Sequence, residues 1–138
     1  MRAGEFAAKT VRHAFFERER EACFRCRRPL RFEDRGIGWS AHHRIPRGSG
    51  GIGAKKGSPY ELLISGIANC LILCGSGTTG CHGWVEAHRE LARDHGLLIL
   101  RLGIERSPAG IRVKRLDGTW WLLTSGGLAV ECEEGMGR

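Results

Sequence analysis

The chain has 138 residues, of which 41% are hydrophobic, enough for one compact domain with a modest core. Its formal net charge of +7 favours a polyanionic partner such as nucleic acid. No apolar run approaches the roughly 20 residues of a membrane-spanning helix, and the N-terminus lacks the apolar segment of a signal peptide, so we expect a cytoplasmic protein without a membrane partner.

The first part of the chain predicts one helix, a tight turn and two short strands. The helix follows from apolar residues at helical spacing opposite a strongly charged face. The strands are separated by a turn at Asp34-Arg35-Gly36. In chain order the predicted elements are a helix (5–21), a turn (22–29), two strands (30–33 and 37–43) and a loop rich in Gly, Ser and Lys (44–59).

The second part predicts a helix followed by a β-rich extension over residues 97–138. A short apolar segment runs from Glu61 to Leu73, before a loop of small residues. A helix is expected to begin near Cys81 and to end at Asp94 or His95, because Gly96 is a typical C-terminal stop. In the extension, Asp117-Gly118 predicts a β-hairpin between two alternating segments.

Six cysteines in a reducing compartment are not expected to form disulfides, so metal binding is the first explanation. Two pairs stand far apart in the sequence: Cys23 with Cys26, and Cys74 with Cys81. Two such pairs close one tetrahedral site, and thiolates suit Zn²⁺, so we expect a structural zinc. The alternative is buried free thiols, which is the expectation for Cys70. Cys132 has no obvious partner in the sequence.

Two adjacent histidines, His42 and His43, end the second predicted strand. Neighbours in a regular strand point to opposite faces, but a bend at the strand end lets both rings reach one phosphate. Imidazole is a metal ligand when neutral, and its pKa lies near neutrality, so one ring suits metal binding and the other suits activation of water. Asn69 and His82, which lie close to the second cysteine pair in the sequence, complete the pattern.

This order of residues resembles the HNH nuclease family. A C-x2-C pair is followed by His-His, a Gly-rich loop, Asn-x4-Cys and Cys-His, in the stretches AHHR, GSGG and CGSGTTGCHGWV. The likeness is greatest to HNH endonucleases of actinobacterial phages and prophages, strongly over residues 20–95 and more weakly over RVKRLDGTWWLL. It implies an α+β fold: one HNH nuclease domain over residues 1–138, with a ββα-metal core at about 20–96. The N-terminal helix, the four-cysteine zinc knuckle and the C-terminal β-hairpin surround that core.

The resemblance assigns roles to four residues. His43 matches the general base that deprotonates a water, and Asn69 matches the residue that orients this base through a hydrogen bond. His42 and His82 match metal ligands on the strand and at the start of the helix. The implied activity is metal-dependent hydrolysis of DNA phosphodiester bonds with one catalytic divalent ion, as a nick or a double-strand cut.

Glu86 departs from the family's pattern, because many relatives carry another histidine four residues beyond the match to His82. Residues four apart share one face of a helix, so the Glu86 carboxylate is expected to reach the same ion. A carboxylate favours a harder ion than a purely imidazole site does, which makes Mg²⁺ or Mn²⁺ the expected metal and leaves Ni²⁺ or Zn²⁺ as alternatives. His88 is six residues on and off that face, and is expected to be structural.

Basic residues around the histidines are expected to contact DNA phosphates, namely Arg44, Arg47, Lys55 and Lys56. Such contacts give affinity and salt dependence but little sequence information. The alternative for this Gly-rich segment is a solvated linker. The resemblance also implies phage terminase or portal components as partners during genome packaging. A double-strand break needs either two copies of the enzyme or two successive cuts by one copy. A monomer and a homodimer therefore both stay open.

Two other classes of protein compete with the nuclease. A non-catalytic zinc module that binds nucleic acid explains the cysteines and the charge, but it has no use for the histidines and Asn69 together. A zinc deaminase carries H-x-E followed by P-C-x-x-C, whereas here the C-x2-C pair comes first and no H-x-E accompanies it. The sequence therefore favours the nuclease.

Overall fold

The computed structural model describes residues 4–47, 61–100 and 107–133. They form a mixed α+β fold with two small antiparallel sheets. The helical segments are α1 (Ala8–Arg12), a π-helical turn that continues it (His13–Arg18), α2 (Glu61–Ser65), α3 (Gly80–Ala87) and α4 (Arg89–Asp94). The strands are β1 (Trp39–His43), β2 (Cys70–Cys74), β3 (Val113–Lys114), β4 (Trp120–Leu123) and β5 (Ala129–Cys132). Within these ranges, every helix is too short or too polar to cross a bilayer.

The first sheet pairs β1 with β2 in antiparallel orientation, with His43 opposite Cys70. All five residues of β2 are buried, because each face of the strand packs against a different core. Leu71 and Leu73 face a core shared with α3, α4 and the second sheet, whereas Cys70 and Ile72 face the N-terminal helix. A strand buried on both faces is apolar throughout, which explains the unbroken run CLILC.

The predicted strand over residues 30–33 is wrong, since a 3₁₀ turn begins at Phe32. The Trp39 indole Nε1 donates to the carbonyls of Arg31 at 2.9 Å and Phe32 at 3.1 Å, so a side chain occupies the backbone acceptors that a strand partner would use. The predicted strand over residues 37–43 contains β1. Its partner is β2, which comes from the apolar segment beyond the long loop, and not from its neighbour in the sequence.

The predicted N-terminal helix over residues 5–21 is present over a shorter range, as α1 and its π-helical continuation. It ends because Arg20 and Glu21 adopt a left-handed backbone, with φ of 56° and 61°. Its inner face follows the predicted spacing. The buried side chains on that face are Val11, Ala14, Phe15 and Arg18.

A buried carboxylate connects this helix to the rest of the molecule. Glu19 is fully buried and lies 2.6 Å from Arg18, 3.0 Å from Arg27 and 3.3 Å from Arg115. A buried charge is costly unless it is paired, so the three guanidinium groups and Glu19 hold one another in place. They come from the helix end, the turn that carries the first cysteine pair and the connection between β3 and β4. The turn with the cysteines is thereby fixed against the N-terminal helix and the second sheet.

The predicted helix over residues 81–95 is interrupted once. His88 has φ −129° and ψ 55°, which separates α3 from α4. Its ring stacks on Trp84 with 4.8 Å between centroids, and its Nδ1 lies 3.0 Å from the Trp84 carbonyl oxygen. His88 is thus part of a local stack, as the sequence predicts. Gly96 follows α4 with φ +72°, a left-handed backbone that suits glycine at a helix end.

The C-terminal sheet has the order β3-β4-β5. The predicted hairpin is present, since β3 and β4 pair in antiparallel orientation around the turn at Asp117-Gly118. β5 extends the hairpin to three strands, within the region that the sequence predicts as β-rich. Val113 and Leu123 bury this sheet against the core that also contains α3 and the cysteine turn.

Candidate functional site

The four cysteines of the two predicted pairs come together, with their Sγ atoms all within 4.8 Å of one another. Cys23 and Cys26 lie in the turn after the N-terminal helix, Cys74 ends β2, and Cys81 lies in the first turn of α3. The backbone N–H of Cys81 donates to Cys74 Sγ at 3.3 Å. Arg25 Nη1 donates to Cys81 Sγ at 3.4 Å, which places a positive charge beside the sulfurs.

This donor set fits a tetrahedral metal ion. Four thiolates about 2.3 Å from a central Zn²⁺ stand roughly 3.8 Å apart, and the Sγ atoms of Cys26 and Cys74 are 3.7 Å apart. A hydrogen bond with Cys81 and burial raise the pKa of Cys23, and burial raises the pKa of Cys74. Only a cation would keep so crowded a group of sulfurs in the thiolate form. The cluster could therefore hold a metal ion.

A glycine-rich loop brings the second pair together. Gly75 and Gly80 have φ of +86° and +62°, which L side chains rarely adopt. A Cβ atom on Gly75 would overlap the Thr79 carbonyl, and one on Gly80 would lie 2.6 Å from the Cys74 carbonyl oxygen. The two glycines thus permit a backbone approach that returns Cys81 to the side of Cys74.

Cys70 and Cys132 lie outside this cluster. Cys70 is fully buried in the core beneath the N-terminal helix, and burial raises its pKa to about 12. Cys132 ends β5, and burial raises its pKa as well. Both are therefore protonated thiols at neutral pH, which agrees with the sequence expectation that Cys70 is a core residue.

A second group of possible ligands lies between β1 and α3. One ligand atom each from His42, His82 and Glu86 lies within 4.8 Å of the other two. The rings of His42 and His82 have centroids 5.3 Å apart. His82 Nε2 and Glu86 Oε2 are 4.0 Å apart, too far for a hydrogen bond but wide enough for an ion about 2.0–2.2 Å from each. The structure thus brings together the three residues that the sequence assigns to one divalent ion.

Hydrogen bonds determine which nitrogen of each ring carries the lone pair. A carbonyl can only accept, so His42 Nε2 donates to the Leu97 carbonyl at 3.0 Å, and the lone pair is on Nδ1. Ser40 donates its hydroxyl proton to the Gly75 carbonyl at 2.9 Å. The Ser40 oxygen therefore accepts from His82 Nδ1 at 3.0 Å, which leaves the lone pair on Nε2, the nitrogen nearest the carboxylate. Metal-binding histidines are commonly held in this way through their other nitrogen.

Burial keeps both rings neutral. His42 is 6% exposed, and burial lowers its pKa to about 3. Burial also lowers the pKa of the partly exposed His82, although the neighbouring Glu86 carboxylate acts in the opposite direction. Since a metal binds the neutral form of imidazole, both side chains are in the ligating form at neutral pH.

His43 faces away from this group, because successive residues of a strand point to opposite faces. Its Nε2 donates to the Gly4 carbonyl at 2.7 Å. The Phe6 ring stacks on it with 3.8 Å between centroids and 11° between planes. Burial lowers the pKa of His43, so this imidazole also stays neutral at neutral pH and can accept a proton.

Two cavities meet at His43 and Ala41, which line both of them. The first, of about 350 Å³, also contains His42, Glu86 and Arg89. The second, of about 650 Å³, lies on the side of the N-terminal segment. His43 therefore lies in a wall of the cavity that holds the possible metal ligands, although its ring faces the other side of β1.

Asn69 does not donate to the His43 ring, contrary to the role that the resemblance implies. Its side chain is fully buried, and its Nδ2 donates to the carbonyls of Ile64 at 2.9 Å and Ile45 at 3.3 Å. Its Oδ1 accepts from the Ile45 N–H at 2.8 Å. Both amide protons are thus used on the backbone, and Asn69 acts on His43 only by fixing the chain that leaves β1.

Arg44 cannot contact a DNA phosphate from its position, because it is fully buried. Its guanidinium donates to the backbone carbonyls of Gly96 (2.9 Å), Ala68 (3.1 Å), Pro108 (3.0 Å) and Ile111 (2.6 Å). Burial lowers its pKa to about 9, which still leaves it charged at neutral pH. The prediction for this residue is wrong, since Arg44 satisfies four carbonyls from three separate segments instead of pointing outward with the loop.

The other predicted phosphate contacts have different outcomes. Arg47 is partly exposed, with 30% of its side chain accessible, and its Nη1 lies 3.6 Å from a Glu5 carboxylate oxygen. Its position at the surface is compatible with a phosphate contact. Lys55 and Lys56 lie outside the described residues.

Sequence reasoning missed the groups that hold the histidines. Ser40 is two residues before His42 on β1, and residues two apart share a face of a strand, so this signal was present. The carbonyls of Leu97 and Gly4 leave no sequence signal, because every residue has one. Arg89 donates to Glu86 at 3.0 Å and lines the same cavity, three residues further along the chain.

The site combines two neutral imidazoles and a carboxylate with a third imidazole in the wall of one cavity. The mixed nitrogen and oxygen donor set suits a divalent ion, and the third ring supplies a proton acceptor. A metal ion and a proton acceptor are two elements that hydrolysis assisted by a metal ion can use. No protein-family model, curated protein or solved structure matches the chain.

Proposed function

We propose that the protein is a metal-dependent DNA endonuclease of the HNH type. The observation that carries the proposal is the convergence of His42, His82 and Glu86 in a cavity that has His43 in its wall. β1 supplies His42 and His43, and α3 supplies His82 and Glu86, in the order that the resemblance to HNH nucleases implies, while β2 pairs with β1 between them in the chain. In this proposal β1, β2 and α3 are the ββα-metal core.

The histidines have separate tasks in the proposed reaction. His43 accepts a proton from a water molecule aligned with the scissile phosphorus. His42 and His82 hold the divalent ion through Nδ1 and Nε2, and Glu86 adds a carboxylate that favours Mg²⁺ or Mn²⁺. A divalent ion held by these three residues would supply stabilisation of the charge that develops on the phosphate and on the departing 3′ oxygen.

The four cysteines hold a structural zinc in this proposal. They join the turn after the N-terminal helix to the end of β2 and the start of α3, the element that carries His82 and Glu86. Metal binding to such a cluster contributes directly to the free energy of folding. The cluster therefore positions the catalytic helix without taking part in hydrolysis.

DNA is the proposed substrate. The net charge of +7 favours a polyanion, and Arg47 and Arg89 are partly exposed beside the two cavities. Action beside a phage terminase belongs to the same proposal and rests on the resemblance. A cytoplasmic location follows from the sequence expectation above, and monomer and homodimer both stay open.

Plasmid cleavage in the presence of Mg²⁺, Mn²⁺, Ni²⁺ or Zn²⁺ tests the proposal, with nicked and linear products separated on a gel. We expect His43→Ala to lower the rate by about 10²–10⁴-fold, because it removes the general base. His88→Ala is the matched control, since His88 is exposed and stacks on Trp84 outside the site. DNA binding without cleavage under any ion would favour a non-catalytic zinc module. Equal rates for His43→Ala and wild type would refute the role of His43.

A further inference from the structure

The segment before α1 lies directly on His43. Gly4 accepts the hydrogen bond from His43 Nε2 at 2.7 Å, and the Phe6 ring stacks on the imidazole at 3.8 Å with 11° between planes. Between them, Glu5 lies 3.6 Å from Arg47. Three consecutive residues thus contact the end of β1 or the residues just beyond it, although they are far from it in the sequence.

The segment is anchored independently of its contacts with the histidine. Phe6 is 6% exposed and belongs to the core that also contains Val11 and Trp39. Gly4 has φ +78°, a left-handed backbone that is disfavoured for residues with a Cβ atom. The position of the Gly4 carbonyl is therefore set by the fold of the N-terminal segment, and the imidazole adapts to it.

These two contacts fix both the orientation and the tautomer of the ring. The carbonyl can only accept a hydrogen bond, so the proton is on Nε2 and the basic lone pair is on Nδ1. The parallel Phe6 ring restricts rotation of the His43 imidazole about its Cβ–Cγ bond, because that rotation would tilt the ring out of the stack. A general base contributes only when the correct nitrogen is aligned with the proton that it accepts.

We propose that Gly4 and Phe6 are positioning residues for the general base, and that the segment before α1 is part of the active site. This inference rests on the proposed nuclease function. Gly4 selects the tautomer of His43 that has a basic Nδ1, and Phe6 holds the ring plane. The position of the base thus depends on a segment remote in sequence from the His-His, Asn and Cys-His motifs.

Two variants disturb the contacts separately. Phe6→Ala removes the stacked ring, and Gly4→Val places a β-branched residue at φ +78°, which displaces the carbonyl. Phe6→Leu keeps apolar volume without a flat ring, and serves if Phe6→Ala does not fold. The matched control is Phe16→Ala, because Phe16 is a partly buried aromatic that contacts Phe15 and Phe32 but not His43.

The first measurement is the tautomer of His43 from its ring ¹⁵N chemical shifts, recorded on the full chain at a pH where the ring is neutral. We expect wild type and Phe16→Ala to have the proton on Nε2, and Phe6→Ala and Gly4→Val to show a mixture. The second measurement is steady-state cleavage. We expect kcat to fall by about 10–100-fold in Phe6→Ala and Gly4→Val, with KM and divalent-ion affinity within about 2-fold of wild type.

A folded Phe6→Ala with the wild-type tautomer and the wild-type kcat would overturn the inference. An equal loss of kcat in Phe16→Ala would also overturn it, because the effect would then follow from general packing. If the wild type cleaves DNA with none of the ions, the proposed function fails. The tautomer measurement requires no turnover, and it would still decide whether Gly4 and Phe6 hold His43.

Discussion

Replacement of Arg44 by lysine distinguishes a structural guanidinium from one that binds phosphate. The Arg44 side chain satisfies four backbone carbonyls of three segments from a fully buried position. A lysine ammonium keeps the charge but has only three donors on a flexible stem. At least one buried carbonyl is then left without a partner, and each such loss costs about 1–3 kcal/mol. Burial of the more strongly hydrated ammonium adds to this cost.

We expect Arg44→Lys to lower the free energy of unfolding by ~2–4 kcal/mol. For a chain of 138 residues, each kcal/mol lowers Tm by about 3–4 °C, so the expected decrease is ~6–16 °C. Arg47→Lys is the matched control, because Arg47 is partly exposed and a lysine can keep the ion pair with Glu5. Surface ion pairs contribute about 0–1 kcal/mol, so its Tm should change by less than ~4 °C.

The assay is calorimetric unfolding of both variants with the same zinc content, alongside DNA affinity measured at several salt concentrations. If Arg44 instead bound a DNA phosphate, its replacement would weaken DNA binding and reduce the salt slope while Tm stays unchanged. An Arg44→Lys protein with the wild-type Tm and weakened DNA binding would therefore refute the structural assignment.

Three further predictions concern the two metal clusters and pH. Cys26→Ser should lose bound zinc, measured by atomic emission, and should unfold, whereas Cys132→Ser should keep its zinc because Cys132 lies outside the cluster. Glu86→Ala should weaken Mn²⁺ binding by about 10-fold or more in calorimetric titrations, with an unchanged Tm because Glu86 is exposed; equal affinity would exclude Glu86 as a ligand. The pKa of His42 is lowered from 6.5 to about 3 in the folded state, so the unfolded chain binds the extra proton between these values. The contribution of neutral His42 to stability is therefore complete above pH 6.5 and is lost as the pH falls toward 3. The free energy of unfolding, measured with urea, should decrease by on the order of 3 kcal/mol from pH 7 to pH 4. His42→Gln should make the free energy of unfolding depend less steeply on pH over this range.

Short-range spacing in the sequence predicted much of the candidate site. The C-x2-C pair and the later pair come together, as do His42 with His82 and Glu86. Spacings within one helix or one turn are geometric facts of the chain, since residues four apart share a helix face wherever that helix lies. The helix end at Gly96 and the hairpin turn at Asp117-Gly118 also depend on short-range spacing, and both lie where the sequence predicts them.

Predictions that depended on distant partners failed or stayed incomplete. The strand over residues 30–33 is replaced by a 3₁₀ turn, because the Trp39 indole takes its carbonyls. The sequence predicts that Arg44 contacts DNA phosphates, and the resemblance implies that Asn69 bonds the His43 ring. Both side chains instead donate to buried backbone carbonyls. Every residue has a carbonyl, so the sequence does not indicate which carbonyls a side chain will meet.

The sequence by itself determined which residues could serve as ligands and as a base, because side-chain chemistry and short-range spacing are properties of the chain. Only the tertiary structure decided which nitrogen of each histidine carries the lone pair, because the carbonyls of Leu97 and Gly4 and the hydroxyl of Ser40 make that choice. These groups come from segments brought together only when the β1–β2 sheet is enclosed by the N-terminal segment on one face and by α3 on the other.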